Sequence, residues 1–209
     1  MKILIDNGHG IFTAGKRSPD GELREGIYTR EIARRLTSRL QALGLDASLL
    51  VPEKEDIPLA ERCIRANKQS ITHGTKNVII ISIHCNAARS DGKWHNARGW
   101  SVYTSKGQTD ADRLADCLAK SAAKNLPDEI VRADWSDGDV DLEAGFYILR
   151  KTLSPAVLTE NLFMDNLQQK EFLLSEEGKN AIVQLHVDGI LEYLNAGQSS
   201  MGTLRISEK

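Results

Sequence analysis

The sequence predicts a single α/β domain with a mostly parallel, mixed, twisted sheet flanked by helices on both faces. Three observations predict it. Short β-type runs alternate with amphipathic stretches of helical period along most of the chain. Residues 78–83 are apolar and β-branched apart from Ser82, as a central strand covered on both faces must be. The 209 residues, 41% hydrophobic and 27% charged, are enough for one core and show neither an internal repeat nor a second domain.

Each element has its own local reason. Residues 2–5 read as a buried first strand. Over 27–43, Ile32, Leu36, Leu40 and Leu43 recur at helical spacing and Gly44 follows as a stop. Residues 47–51 form a second strand, and 59–70 a helix opened by Pro58. After the 78–83 strand come a strand at 99–104 and a helix at 110–124 with Leu114 and Leu118 inward. Residues 127–145 are acidic, carry Trp135 and lack a period, so they are expected to form a long surface loop, and a lid over a groove is one role for it. Residues 146–149 and 156–159 are expected as short strands, and 176–194 as a closing helix. The domain is expected to span 1–195, with 196–209 as a flexible tail.

Composition narrows the function. A net charge of −2 with no basic stripe argues against nucleic acid, and gives no electrostatic hold on anionic lipid. Three cysteines, Cys63, Cys85 and Cys117, without a C-x-x-C unit point away from a disulfide framework or a cysteine-rich metal site. No apolar stretch reaches membrane-spanning length. The start, Met1 to Asp6, runs directly into a polar motif and does not read as a signal peptide.

Four separated pieces carry chemistry: Asp6-Asn7-Gly8-His9-Gly10, Arg24-Glu25, Ser82-Ile83-His84-Cys85-Asn86 and Leu158-Thr159-Glu160-Asn161. Two histidines with one carboxylate form the ligand set of a catalytic zinc site that keeps a position open for water. A second carboxylate off the metal is what such a site uses to take the water's proton. His9 follows the first strand, His84 and Glu160 end later ones, and in a parallel sheet those ends share an edge. Each residue also has a plain alternative. His9 fits a glycine-flanked turn, Glu25 the acid favoured in a first helical turn, and His84 a neutral core histidine. Glu160 fits an arginine-paired carboxylate. His73 reads as a loop residue, His95 as a loop residue able at most to touch substrate, and His186 as helix packing. Cys85 reads as small and buried rather than as a nucleophile. Asn86 and Asn161 are suited to orienting neighbours or to turns.

Read together, these motifs resemble the zinc-dependent N-acetylmuramoyl-L-alanine amidases of the type 3 class. Asp6-Asn7-Gly8-His9-Gly10 is similar to their D-x-G-H-G motif, and Glu25 with Ile32, Ala33 and Leu36 falls in register behind it. Leu59, Arg62, Ala66 and Asn67 follow an L-x-x-R-x-x-x-A-N pattern, and Ser82-Ile83-His84-Cys85-Asn86-Ala87 an S-I-H-x-N-A pattern. Pro155 to Glu160 with Phe163 and Asn166 resembles P-x-V-L-x-E-x-x-F-x-x-N. Asn7 departs from the usual proline, Arg30 from leucine, and Cys85 from a small residue.

The resemblance implies a phosphorylase/hydrolase-like arrangement and one zinc ion held by His9, Glu25 and His84, with Glu160 as catalytic acid/base. It implies cleavage of the amide between N-acetylmuramic acid and L-alanine of the peptidoglycan stem peptide, at the bacterial cell wall, by a monomer. A zinc peptidase on the same scaffold and a non-catalytic wall-binding module are the alternatives.

Overall fold

The computed structural model describes residues 1–135 and 138–202, the last six of these as backbone only. The elements, in chain order, are β1 (Lys2–Asn7), α1 (Glu25–Ala42), β2 (Asp46–Leu49), α2 (Leu59–His73), β3 (Val78–Asn86), β4 (Ser101–Thr104) and α3 (Asp112–Asn125). They continue with β5 (Leu142–Glu143), α4 (Tyr147–Lys151), β6 (Ala156–Phe163), α5 (Leu167–Leu174) and α6 (Glu176–Gly202). The sheet order is β2-β1-β3-β6-β4-β5. The first four strands in that order run parallel, and β4 is antiparallel to β6.

The pleat divides the core in two. Ile3 and Ile5 of β1, Ile79, Ile81 and Ile83 of β3, and Val157 of β6 face one way, against α1, α3, α5 and α6. Leu4, Ile80 and Leu158 face the other way, against α2 and α4. This second layer is short, and it covers only the amino-terminal half of its sheet face. Further along the strands the same face carries Asp6, Ser82, His84 and Glu160, which line a cavity of about 560 Å³ with α4 and the loop before α2. The site is the part of the sheet that the second helix layer leaves bare.

Four expectations differ from the structure. Residues 146–149 do not form a strand: Tyr147–Lys151 is the single-turn helix α4. Ile148 and Leu149 both pack into the same core layer, whereas adjacent residues of a strand point to opposite faces. Phe146 and Tyr147 remain partly exposed at the cavity mouth. The 127–145 segment is not loop throughout, because Val131 bridges to Trp100 and Leu142–Glu143 pairs with β4. α5 was not foreseen, although Asn166 caps it by accepting from the Gln169 N–H at 3.1 Å, an Asn-x-x-Gln start signal present in the sequence. The last helix runs on to Gly202, and 203–209 lie outside the described residues.

Candidate metal centre and active site

β3 and β6 extend past the points expected for their ends, so His84 and Glu160 lie within strands and not beyond them. They are directly paired in register, and the pleat turns both to the bare face. Directly after them the strands lose register, with two residues of β6, Asn161 and Leu162, set against Cys85. This bulge carries Leu162 at φ 64°. Cys85 consequently packs into the larger core on the opposite face, where burial pushes its thiol well above the ordinary range. A thiolate nucleophile there is ruled out by both orientation and charge.

His9 enters from the end of β1. Its φ of 59° is left-handed, which lets the backbone reverse and bring the imidazole back over the sheet. Gly8 permits this, because a Cβ at that position would collide with the His84 ring. Two bonds from α1 hold the turn, and a third, from Arg30 to Gly26, stays within the helix. Thr29 Oγ1 donates to the Gly8 carbonyl (2.8 Å), and Arg30 Nη1 donates to the His9 carbonyl and to that of Gly26 (2.9 Å). Arg30 also reaches the Glu53 and Glu55 carbonyls, so one buried guanidinium joins the His9 turn to the loop before α2.

Glu25 is the first residue of α1 and is 1% exposed. Oε1 accepts from the Cys85 N–H (3.1 Å) and lies 3.0 Å from His84 Nδ1, while Oε2 lies 3.4 Å from His9 Nε2. The two imidazoles meet edge to face, 5.0 Å between centroids. One ligand atom from each of His9, Glu25 and His84 falls within 4.8 Å of the other two. That is the compactness a tetrahedral ion needs, with a fourth position left over.

Charge and bonding at the three residues fit a cation. Glu25 Oε2 is buried with no hydrogen-bond donor, as is Glu160 Oε2. A carboxylate oxygen so placed is costly unless a positive charge compensates it. Burial holds His9 down to about 4, so its ring is neutral, as a ligand must be. Burial would lower His84 as well, but the Glu25 hydrogen bond and charge outweigh it and raise this imidazole. Glu25 shows the mirror effect: burial would raise it, and His84 brings it down. Two nitrogens and one oxygen on a neutral-to-anionic set match a borderline divalent ion.

Beside this set, burial lifts Glu160 to about 7, with Glu25 adding to the rise and His84 opposing it. Beneath it, Asp6 accepts from Arg62 Nη1 (2.8 Å) and from Ser82 Oγ (2.6 Å), and Arg62 also donates to the Asn7 carbonyl. This ion pair, 2–3% exposed on both sides, ties α2 to the end of β1.

A family model described as N-acetylmuramoyl-L-alanine amidase matches residues 3–192. The chain belongs to the N-acetylmuramoyl-L-alanine amidase family. Its relatives include phage and bacterial proteins. It is 27% identical to the endolysin of Bacillus phage SPP1, over 96% of this chain and 69% of the endolysin. It is also 27% identical to the N-acetylmuramoyl-L-alanine amidase CwlM of Bacillus licheniformis, over 99% of this chain and 74% of that protein. Among solved structures, N-acetylmuramoyl-L-alanine amidase AmiC2 of Nostoc punctiforme superposes with a TM-score of 0.76 at 26% identity, covering 93% of this chain and 97% of that one. An amidase from Clostridium difficile 630 shares the fold, with a TM-score of 0.79 at 23% identity over 93% and 97% of the two chains.

In this amidase family member all four residues singled out from sequence converge. The others part from them. His186 is fully buried between Thr159 Oγ1 (3.0 Å) and the Ile182 carbonyl (2.7 Å), as expected of packing. His95 pairs with Asp91 at 2.9 Å, and His73 ends α2. Trp100 is core, donating its indole N–H to Asn161 Oδ1 (2.9 Å). Asn161 in turn donates to the His84 carbonyl (3.0 Å), so it does orient a neighbour. Asn86 accepts from the adjacent Ala87 N–H, as a turn residue does. Sequence reasoning missed Lys16, which lines the cavity 3.9 Å from Glu25 Oε2, because a lone lysine in a polar loop carries no pattern.

Proposed function

We propose that this amidase holds one zinc ion on His9, Glu25 and His84 and hydrolyses the amide between the lactyl group of N-acetylmuramic acid and the L-alanine of the stem peptide. The observation that carries the reading is the meeting of two imidazoles and a buried carboxylate within 4.8 Å, with Glu160 beside them and outside the ligand set. Zinc, when bound, supplies Lewis acidity that acidifies water and polarises a carbonyl.

The remaining work falls to the chain. Glu160, lifted to about 7, is basic enough to take a proton from water and acidic enough to return it to the departing amine. Its partner in register, His84, keeps that carboxylate next to the ligand set. Phe146, Tyr147, Ile57 and Leu158 wall the cavity with apolar surface, which limits water around the reacting groups. The site of action is the bacterial cell wall, where the substrate is found.

Glu160→Gln tests the assignment. The variant is expected to retain stoichiometric zinc while hydrolysis of purified muropeptide falls about 10²–10⁴-fold. Mass spectrometry of wall digested by the wild type is expected to show intact stem peptides and uncut glycan. Peptides cut internally would point to the peptidase alternative, and a Glu160→Gln protein of undiminished rate would remove Glu160 from the mechanism.

A further inference from the structure

The loop between His9 and α1 is held more firmly than its length suggests. The Ser18 N–H donates to the Leu23 carbonyl (2.8 Å), and Ser18 Oγ donates to Asp20. Lys170 of α5, only 4% exposed, reaches in to bind Asp20 (2.9 Å) and Glu22 (2.7 Å). The Glu25 N–H donates to the Lys16 carbonyl (2.9 Å), so the loop is anchored on the proposed ligand residue itself. The ammonium of Lys16 is thereby brought to the cavity wall that also carries His9, His84 and Glu160.

Among the described residues, Glu25 is the one carboxylate within 4.0 Å of that ammonium, and at 3.9 Å the pair is too long for a hydrogen bond. A divalent ion on Glu25 takes up the carboxylate's charge. Lys16 is then left as a cation facing the reacting centre with its side chain 42% exposed and without a neutralising partner. Surplus positive charge at this point has a use only where negative charge appears. In amide hydrolysis that place is the scissile carbonyl oxygen, which gains an electron pair as water attacks the carbon.

We propose that Lys16 is a further catalytic residue, donating a hydrogen bond from its ammonium to the scissile carbonyl oxygen as charge builds there. The water oxygen bonds to the carbonyl carbon, the π pair moves to the oxygen facing Lys16, and Glu160 takes the water's proton. The oxygen pair then re-forms the carbonyl, the carbon–nitrogen bond breaks, and Glu160 returns the proton to the amine. Lys16 neither gains nor loses a proton. This inference rests on the zinc amidase reading given above.

The test uses the zinc-loaded protein with Lys16→Ala, Lys16→Met, which keeps the alkyl stem, and Lys16→Arg. With a defined muropeptide, Lys16→Met and Lys16→Ala are expected to lower kcat about 10²–10³-fold with KM near the wild-type value, and Lys16→Arg to recover part of the loss. Zinc content should stay at the wild-type level. Calorimetry with a phosphinate analogue of the scissile amide should show affinity falling by the same factor, while the free stem peptide binds as before. An unchanged kcat in Lys16→Met overturns the proposal. So does loss of zinc, or a defect confined to KM and to substrates with a free carboxylate on the second stem residue. A wild-type protein that binds no zinc or cuts no muropeptide would instead sink the underlying reading, so the two failures are separable.

Discussion

Arg30 stands where the family pattern has leucine, yet it is 6% exposed and spends its guanidinium on four backbone carbonyls. One of those carbonyls belongs to His9, whose backbone is left-handed. Arg30 contacts the proposed metal site only through this turn and touches no candidate ligand atom. Arg30→Leu is expected to weaken zinc binding about 10–100-fold, in the range found when groups supporting metal ligands are removed. Competition against a chromogenic chelator measures this, and circular dichroism shows whether the fold persists. Wild-type affinity in a folded Arg30→Leu protein would reduce Arg30 to a loop clamp. The two histidines and Glu160 were legible because each lies in a short motif of unusual chemistry, and Glu25 because it falls in register behind the first of them in the family pattern. Arg30 was visible only as a departure, and Lys16 not at all, since what they do depends on carbonyls and carboxylates distant in sequence.

At the scale of elements, the site depends on how closely α1 approaches the turn after β1. Glu25 reaches His9 and His84 because Gly26 follows it with no side chain, and a Cβ there would collide with the Gly10 carbonyl oxygen. The obstacle is backbone and cannot rotate away. Gly26→Ala should therefore lower stability by roughly 1–3 kcal/mol and reduce zinc content together, despite alanine's better helix propensity. A urea midpoint at or above the wild-type value would show that the helix can shift without cost. The strands and long helices were legible from period and apolar content. α4 was not, because a single turn is too short to display a helical period and its two buried residues also suit a strand's end. The bulge after His84 was equally invisible, since it is a property of two strands paired far apart in the chain.

Across the whole molecule, α6 is bound to the sheet by a polar link inside the larger core: His186 against Thr159, one residue from Glu160. Burial holds His186 down to about 4 from 6.5, so it is neutral in the folded protein. A group whose folded value is depressed contributes its full stability above its unfolded value and loses it as pH falls towards the folded one. Stability from this residue is thus fully present above pH 6.5 and falls progressively towards pH 4 as the unfolded chain takes up the proton, a span worth on the order of 3 kcal/mol. His186→Gln, which keeps a polar end for Thr159, should flatten this part of the pH–stability curve in thermal melts. A variant whose acid limb overlays the wild type would show that His186 does not titrate with unfolding. By itself the sequence determined the α/β class and the parallel centre of the sheet, and it pointed to four side chains as candidates for the chemistry. Those follow from local period, burial preference and rare residue types, all of which are written along the chain. Only the tertiary structure decided that the short second helix layer leaves the end of one sheet face open, that Lys16 lines the cavity there, and that Arg30 clamps the His9 turn beside it. Cavities and charge balance arise from elements packing against one another, and no single stretch of chain encodes them.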